Sequence, residues 1–300
     1  MDLQHVLYEK RDAVAYVTVN RPEVMNALHP PARAELEQVW EDFAADDSLW
    51  VAILTGAGER AFCAGSDLKY RVTEADQQAL RGPAGQPNRA LERCLKPVIA
   101  AVNGYAVGGG LELALSCDII IAAEHAQFGL PEPRRGLMAD EGGVVKLPRR
   151  LPYHMAMGMV LTGRFFTAAE AHAMGLVNEV VQREELMAAA GRWAAEITKC
   201  SSLALQAAKQ VVVYTEDVPF THLITEGSFD SRDFIVIESQ SLSALDLAPL
   251  DPLELTKKYE KSGTYSVIRD WGPVAFNGSA GYTLAGGMDF STLVEGLKVK

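Results

Sequence analysis

Three consecutive glycines, Gly108 to Gly110, interrupt the apolar stretch Asn103 to Asp118, and a single carboxylate, Glu112, follows them. Glycine is costly inside regular elements, so three in succession indicate a loop whose backbone must approach something closely. The residues before the loop, 97–104, predict a buried strand, and Gly110 to Ser116 predict a helix. The N–H groups of the loop then lie at a helix N-terminus, where unpaired donors and the helix dipole favour negative charge. Tight packing of the strand on the helix, without any ligand, is the alternative interpretation.

A second glycine-rich loop follows an earlier predicted strand, in the segment TGAGERAFCAGSDL from Thr55 to Leu68. Its opening resembles the fingerprint of dinucleotide-binding proteins, but that fingerprint requires the glycines to begin a helix. Here the chain breaks again at Gly65, so binding of a nicotinamide cofactor is not supported. Ser66 lacks the G-x-S-x-G frame of serine hydrolases, which the sequence does not contain, and a lone loop serine usually forms a turn.

Two carboxylates accompany these loops. Glu112 lies three residues after Gly109, so a first helical turn keeps it near the donors of the loop. Glu132 follows twenty residues later between Pro131 and Pro133, which we expect to hold the backbone extended. A carboxylate in an apolar setting has a raised pKa, which suits general acid–base catalysis. A solvated charge is the alternative interpretation for any single glutamate.

The composition narrows the classes of protein to be considered. The formal net charge of −11 argues against nucleic acid as a partner, because contacts with phosphates need a basic surface. No apolar run is long enough to span a membrane, and the acidic N-terminal segment lacks the features of a signal peptide, so we expect a cytoplasmic protein without membrane partners. The histidines are scattered and the cysteines show no paired spacing, so we predict neither a metal site nor disulfides. The cysteines are Cys63, Cys94, Cys117 and Cys200.

The pattern of apolar residues places these loops in an α/β protein. Short alternating or continuous apolar segments predict strands, and apolar residues at helical spacing predict helices. The predicted strands lie within 13–22, 50–56, 97–104 and 117–132, and the predicted helices within 30–46, 110–116, 168–174 and 184–209. Strand pairs followed by a helix recur along the chain, which is typical of a mixed α/β architecture.

The sequence predicts two regions. No linker rich in Gly, Ser or Pro divides the first 200 residues, so we predict a core from 1 to 195. A C-terminal region follows from 196 to 300, helical to about residue 226. Beyond Glu226 the chain is rich in turn residues, and its last part alternates as strands do.

Four motifs together resemble one known family. They are AFCAGSDL (61–68), NGYAVGGGLELALSCDI (103–119), AQFGLPEPRRGLMADEGG (126–143) and LTGRFFTAAEAHAMGLVNEVV (161–181). With them the chain resembles the crotonase, or enoyl-CoA hydratase/isomerase, superfamily, and it looks most like enoyl-CoA hydratases and carnitinyl-CoA dehydratase-like members. The resemblance covers roughly residues 3–225. It implies an α/β fold with a crotonase-like ββα spiral core, a partly helical C-terminal region, and assembly into homotrimers or hexamers.

The resemblance also implies an active site. The backbone N–H groups of Ser66 and Gly109 match the family's oxyanion hole, which binds the carbonyl oxygen of a coenzyme A thioester. Glu112 and Glu132 fall where hydratases of the family carry their two catalytic glutamates. The implied reaction is addition of water to a 2-enoyl-CoA, or its removal from a 3-hydroxyacyl-CoA.

The binding of coenzyme A is implied by the segment around Ser66. Ala64, Asp67 and Leu68 match residues that contact the adenine and pantetheine portions, and Lys69 matches a position that reaches the phosphates. Coenzyme A is therefore expected as part of the acyl-CoA substrate, and no tightly bound cofactor is expected.

One residue keeps a second reaction open. Asp140 lies eight residues after Glu132, where dienoyl-CoA isomerases carry an additional acid, although those isomerases have aspartate in place of Glu112. Carnitinyl-CoA dehydratase-like members carry an aspartate there beside two glutamates, and Pro131 to Val181 looks most like that branch. Asp140 could instead orient Glu132 or cap the helix suggested by GGVVKLP. The alternatives to a hydratase are an enoyl- or dienoyl-CoA isomerase using Glu132 and Asp140, and a non-enzymatic assembly protein that binds a CoA ligand.

Overall fold

The computed structural model describes residues 1–70, 88–215, 234–237, 265–268, 275–277 and 281–283. The chain separates into two compact units, Met1–Thr198 and Lys199–Lys300. The predicted boundary at 195 lies close to this division. Residues 216–226 of the region predicted to be helical lie outside the described residues.

The strands of the first unit are short, as the sequence pattern predicts. They are β1 (Val6–Arg11), β2 (Val14–Val19), β3 (Val51–Gly56), β4 (Ala61–Cys63), β5 (Val98–Val102), β6 (Tyr105–Val107), β7 (Ile119–Ala123), β8 (Gln127–Gly129), β9 (Phe166–Thr167) and β10 (Glu179–Val181).

Helices lie between these strands and after them. They are α1 (Pro30–Ala45), α2 (Arg89–Arg93), α3 (Gly109–Leu115), α4 (Gly143–Arg150), α5 (Tyr153–Thr162), α6 (Ala168–Ala173) and α7 (Leu186–Ile197). Short 3-10 turns lie at Pro22–Val24, Glu132–Arg135 and Arg183–Glu185. The predicted strand–strand–helix rhythm is confirmed, most clearly in the succession β5, β6 and α3.

Two sheets organise this unit. The larger has the strand order β1-β2-β3-β5-β7-β10, in which β1 and β2 are antiparallel and all other neighbours are parallel. The smaller has the order β4-β6-β8-β9, with only β8 and β9 antiparallel. Each of the pairs β3–β4, β5–β6 and β7–β8 therefore contributes one strand to each sheet, which makes the chain a spiral.

The central strands β3 and β5 of the larger sheet are buried on both faces, which explains why they are continuous apolar runs. Side chains of β3 alternate between the faces: Ala52 and Leu54 join the main core, where Trp40 and Phe43 of α1 pack. Val51 and Ile53 face the other way, into a second core under α7. The α7 residues in that second core include Ala189, Ala190 and Ala194.

The smaller sheet brings the candidate site residues together. Strands β4, β6 and β8 are parallel neighbours, so their carboxyl ends meet at one edge. The loop containing Gly65 follows β4, the glycine loop at Gly108 follows β6, and Glu132 follows β8. The N–H of Gly108 donates to the carbonyl of Gly129 at 2.9 Å, which fixes the loop after β6 against the end of β8.

The C-terminal unit contains α8 (Ser202–Thr215) and the strands β11 (Phe234–Ile237), β12 (Tyr265–Ile268), β13 (Ala275–Asn277) and β14 (Gly281–Thr283). β11 pairs with β12 and β13 with β14, both antiparallel. The helical patterns predicted within 184–209 correspond to two helices, and the chain leaves helical structure between Ile197 and Ser202.

We predict that Gly110→Ala destabilises the fold, because a Cβ at this position would lie 1.9 Å from the carbonyl oxygen of Cys63. That oxygen belongs to the backbone of β4 and cannot rotate away. The free energy of unfolding should fall by about 3 kcal/mol or more, measured by chemical denaturation.

Gly191→Ala in α7 is the matched control, since no described atom outside the backbone of its own helix lies within 4 Å of its added Cβ. It should be neutral or stabilising by about 0.5–1 kcal/mol, as alanine favours helix. Equal stabilities of the two variants would contradict the close packing of α3 on β4.

Candidate active site

The loops after β4 and β6 are in direct contact. Gly65 has a φ of +85°, and a Cβ there would lie 2.8 Å from the backbone nitrogen of Gly109. Conversely, a Cβ on Gly109 would lie 3.6 Å from the nitrogen of Ser66. At Gly65, both the positive φ and the 2.8 Å approach require glycine. Within the described part of the chain, the amides of Ser66 and Gly109 donate to no protein acceptor.

Glu112 lies in the first turn of α3 and is 2% exposed. Its Oε1 accepts a hydrogen bond of 2.8 Å from the N–H of Gly143, the first residue of α4. Burial is the largest cause that raises the pKa of Glu112, from 4.5 to about 7, and the Gly143 N–H partly opposes it. The side chain can therefore hold or release a proton near neutral pH.

Glu132 begins the 3-10 turn that follows β8. Its Oε1 lies against the glycine loop, since a Cβ on Gly108 would approach it to 2.9 Å. Its Oε2 is buried and has no hydrogen-bond partner among the described residues. Burial raises the pKa of Glu132 as well. A buried, unsatisfied carboxylate oxygen is costly, which is typical of groups that meet a ligand or a proton during function.

The expected effect of the flanking prolines is wrong. Pro131 and Pro133 do not hold the backbone extended, because Pro131 has a ψ of 1° and Glu132–Arg135 is a 3-10 turn. The fixed φ of proline also suits the first residues of a helix, where its missing N–H needs no partner. The prolines thus stabilise the turn that carries Glu132.

The two glutamates interact electrostatically. The negative charge of Glu132 is one of the causes that raise the pKa of Glu112. Two like charges in one site disfavour the ionised form of each other, so this arrangement favours retention of a proton by the pair.

Asp140 differs from the two glutamates in its surroundings. Its side chain is exposed, although its charge helps to raise the pKa of both Glu112 and Glu132. The alternative that Asp140 caps a helix is wrong: the N-cap of α4 is Gly142, and no side chain caps it. The first N–H of α4, that of Gly143, donates to Glu112 instead.

An ion pair that the sequence reasoning did not assign lies beside the candidate oxyanion hole. Arg33 of α1 binds the Glu141 carboxylate through two hydrogen bonds, of 2.8 and 3.1 Å, and these side chains are 15% and 16% exposed. The same guanidinium donates to the Ser66 hydroxyl at 2.9 Å. Glu141 Oε2 also lies 3.3 Å from the Cβ position of Gly109. No local pattern connects Arg33 with residues so distant in the sequence.

The segment predicted to bind coenzyme A is held by its own hydrogen bonds. Asp67 pairs with Arg21 at 3.0 Å, and these side chains are 10% and 11% exposed. The Asp67 N–H donates to the carbonyl of Leu28, and the Ala64 N–H donates to the carbonyl of Met25. Asp67 thus fixes the segment.

The two neighbours that follow Asp67 in the sequence are open to solvent. The Leu68 side chain is 66% exposed, and Lys69 is exposed as well. They remain predicted contacts of coenzyme A.

The family model for enoyl-CoA hydratase/isomerase matches residues 9–235 of this chain. The chain belongs to the enoyl-CoA hydratase/isomerase family. The resemblance inferred from the four motifs is thereby confirmed, and so is the α/β crotonase fold, since solved structures with that fold align with it.

Named relatives support this membership. The chain is 44% identical over 220 residues to (E)-benzylidenesuccinyl-CoA hydratase of Thauera aromatica, an alignment covering 72% of this chain and 85% of that protein. It is 41% identical over 211 residues to carnitinyl-CoA dehydratase of Escherichia coli K12, covering 70% and 80%. A solved enoyl-CoA hydratase from Bacillus anthracis has a TM-score of 0.70 and 32% identity, covering 88% of this chain and 98% of that one.

The described part of the chain contains neither a candidate metal site nor a helix able to span a membrane. No group of three or more His, Cys, Asp or Glu side chains there could hold a metal ion. Nor does any helix in the same residues combine the length and apolar character needed to cross a membrane.

We predict that Glu112 makes the stability of the protein depend on pH. The folded state raises the pKa of Glu112, so it binds this proton more tightly than the unfolded chain does. Its contribution to stability is complete below pH 4.5 and is lost as the pH rises to about 7. The free energy of unfolding of Glu112→Gln, relative to wild type, should rise by about 3 kcal/mol across that range.

Chemical denaturation of both proteins at several pH values measures this difference. Glu184→Gln is the control, because Glu184 is an exposed glutamate, and its difference from wild type should stay flat. A flat difference for Glu112→Gln would show that burial does not hold its proton.

Proposed function

We propose that this protein adds water to a 2-enoyl-CoA thioester, or removes it from a 3-hydroxyacyl-CoA, using Glu112 and Glu132. The proposal depends on one observation: two carboxyl groups with raised pKa values flank two backbone amides that have no acceptor among the described residues. The relatives named as a hydratase and a dehydratase support the same reaction class.

The backbone amides of Ser66 and Gly109 bind the thioester oxygen in this proposal. Negative charge develops on that oxygen when C2 becomes carbanion-like, and the N-terminus of α3 favours it. The donors are preorganised because Gly65 and Gly109 hold the two loops in contact. One such donor typically contributes about 3 kcal/mol to stabilisation of the transition state.

The two glutamates exchange one proton during each turnover. In hydration, the Glu112 carboxylate takes a proton from water as its oxygen bonds to C3, and the Glu132 carboxylic acid gives its proton to C2. In dehydration, the Glu132 carboxylate removes the C2 proton, and Glu112 protonates the hydroxyl that leaves C3. Atoms and charge balance, because the pair starts and ends with one proton.

Coenzyme A enters this proposal as the carrier of the acyl group. We assign its adenine and pantetheine portions to the segment of Ala64, Asp67 and Leu68, and its phosphates to Lys69. Since the Asp67 carboxylate is already paired with Arg21, its contribution comes from the backbone. The exposure of Leu68 and Lys69 leaves both side chains accessible to such a ligand.

We further propose a homotrimeric or hexameric assembly located in the cytoplasm. Large apolar side chains are exposed between the end of the glutamate turn and the end of α5, a concentration that favours contact with another protein surface. They include Leu137 (55%), Met138 (62%), Tyr153 (63%) and Leu161 (68%).

We predict that Glu132→Gln lowers the rate of water addition to crotonyl-CoA by roughly 100-fold or more, because the amide has no proton to transfer. Binding of coenzyme A, measured by calorimetry, should persist. Glu112→Gln should lose activity similarly. The double variant should lose less than the product of the two effects, because the pair acts as a unit.

Glu184→Gln serves again as the control for an exposed glutamate and should retain its rate. The substrate panel should also contain a benzylidenesuccinyl-CoA and a carnitinyl-CoA, after the named relatives. Turnover of Glu132→Gln near the wild-type rate would refute its role as the acid.

Replacing Asp140 distinguishes the hydratase from an isomerase. Asp140 is exposed, whereas Glu112 and Glu132 are buried or half-buried, which favours a role outside the proton exchange. Asp140→Asn should keep water addition within about tenfold of wild type, and the wild type should isomerise a 3,5-dienoyl-CoA negligibly. Fast isomerisation by the wild type, abolished in Asp140→Asn, would establish the isomerase instead.

A further inference from the structure

The Glu141 carboxylate lies where a negative charge opposes the proposed chemistry. Its Oε2 is 3.3 Å from the Cβ position of Gly109, whose amide is one of the two proposed oxyanion donors. A fixed negative charge so close to a developing oxyanion disfavours it, and burial weakens solvent screening. Glu141 is also the first of the charges that raise the pKa of both Glu112 and Glu132.

Arg33 forms an ion pair with this carboxylate and neutralises its charge. Its guanidinium forms the two-bond fork on the Glu141 carboxylate, and one of its nitrogens also donates to the hydroxyl of Ser66. The pair is mostly buried, so its two charges interact with little screening by solvent. Lysine could supply the charge but not the planar fork.

The helix that carries Arg33 is rigid. Trp40 and Phe43 anchor α1 in the main core, and both are fully buried. His29 caps its first turn by accepting a hydrogen bond from Ala32. Arg33 therefore reaches the site from an element that does not depend on the loops it contacts.

We infer that Arg33 is a positioning residue that neutralises Glu141 beside the oxyanion hole and orients Ser66. The inference rests on the proposed function, because it needs an anion at the amides of Ser66 and Gly109. Glu141 in turn holds the guanidinium over Ser66 and fixes the loop whose Gly143 N–H binds Glu112. The ion pair thus joins both halves of the site.

The inference predicts an asymmetry between the two partners. Loss of Arg33 leaves a buried, uncompensated carboxylate at the oxyanion hole, whereas loss of the Glu141 charge leaves a cation there. Arg33→Gln should therefore impair the site far more than Glu141→Gln. Adding Glu141→Gln to Arg33→Gln should restore function, since no uncompensated negative charge remains.

Acetoacetyl-CoA is the probe for this test, because it binds an oxyanion hole as an enolate whose near-ultraviolet absorbance reports the bound anion. Arg33→Gln should weaken binding of the enolate about 100-fold and lower kcat for crotonyl-CoA similarly, with KM little changed. Glu141→Gln should stay within about tenfold of wild type, and so should the double variant.

Two further variants separate this role from a structural one. Arg33→Lys keeps the charge and should therefore retain most of the enolate binding. It supplies the test if Arg33→Gln proves too unstable to purify. Arg21→Gln removes a similarly buried ion pair, the one with Asp67. Any loss of enolate binding that it causes should not be restored by Glu141→Gln, since Arg21 contacts a different carboxylate. Thermal denaturation checks that each variant folds.

The outcomes decide the inference independently of the reaction. The inference is overturned if the double variant is as impaired as Arg33→Gln. It is also overturned if Arg33→Gln binds the enolate as tightly as the wild type does, or if Arg33→Lys binds it as weakly as a folded Arg33→Gln does. If the wild type hydrates no enoyl-CoA, the proposed function fails, but the order of enolate binding among the variants still tests the role of Arg33.

Discussion

The close contact between the loop after β4 and the first turn of α3 is the constraint on which the site depends. The backbone of Gly65 touches that of Gly109, and Gly110 lies against the carbonyl of Cys63 with no room for a side chain. Both contacts follow from the parallel pairing of β4 with β6, which brings their carboxyl ends to one edge. The amides of Ser66 and Gly109, which have no acceptor among the described residues, are held in place by this packing. One turn of helix carries Glu112 to the same place.

A buried carboxyl group in this arrangement is destabilising for the fold and useful for the chemistry. Burial raises the pKa of Glu112 to about 7, so part of its folding contribution disappears near neutral pH. The same raised pKa lets the group exchange a proton near neutral pH. The single N–H of Gly143 compensates Glu112 only partly, and Oε2 of Glu132 is not compensated within the described residues. The site therefore retains unsatisfied polar groups that a substrate can satisfy.

Most of the fold and the proposed catalytic residues could be predicted from the sequence because their signals are local. Strands such as β3 and β5 are short apolar runs that end at or just before a glycine, and the triple glycine marks the turn into α3. The 3-10 turn at Glu132 was missed because a proline is compatible with both an extended chain and a first helical turn.

The ion pairs were beyond prediction for a different reason. Arg33 and Glu141 are 108 positions apart, and Arg21 and Asp67 are 46 apart, so only the folded topology brings them together. A charged residue on a helix is usually solvated, and nothing near Arg33 distinguishes it from other charges of α1. The Glu141 charge raises the pKa of Glu112 and Glu132 because the three groups are close in the folded structure, which their spacing in the sequence does not indicate.

The antiparallel pair β8 and β9 has a consequence for how such a site can diversify. Phe128 of β8 lies beside Phe166 of β9, so the 36 residues between the two strands, 130–165, leave and return at neighbouring points. The turn of Glu132, the loop of Asp140 and Glu141, and helices α4 and α5 together form an insertion between two adjacent strands. The entropy of closing such an insertion grows only with the logarithm of its length, by about 0.6 kcal/mol for each doubling. Its length and side chains can therefore change during evolution while the strand order, and with it the oxyanion hole, stays the same.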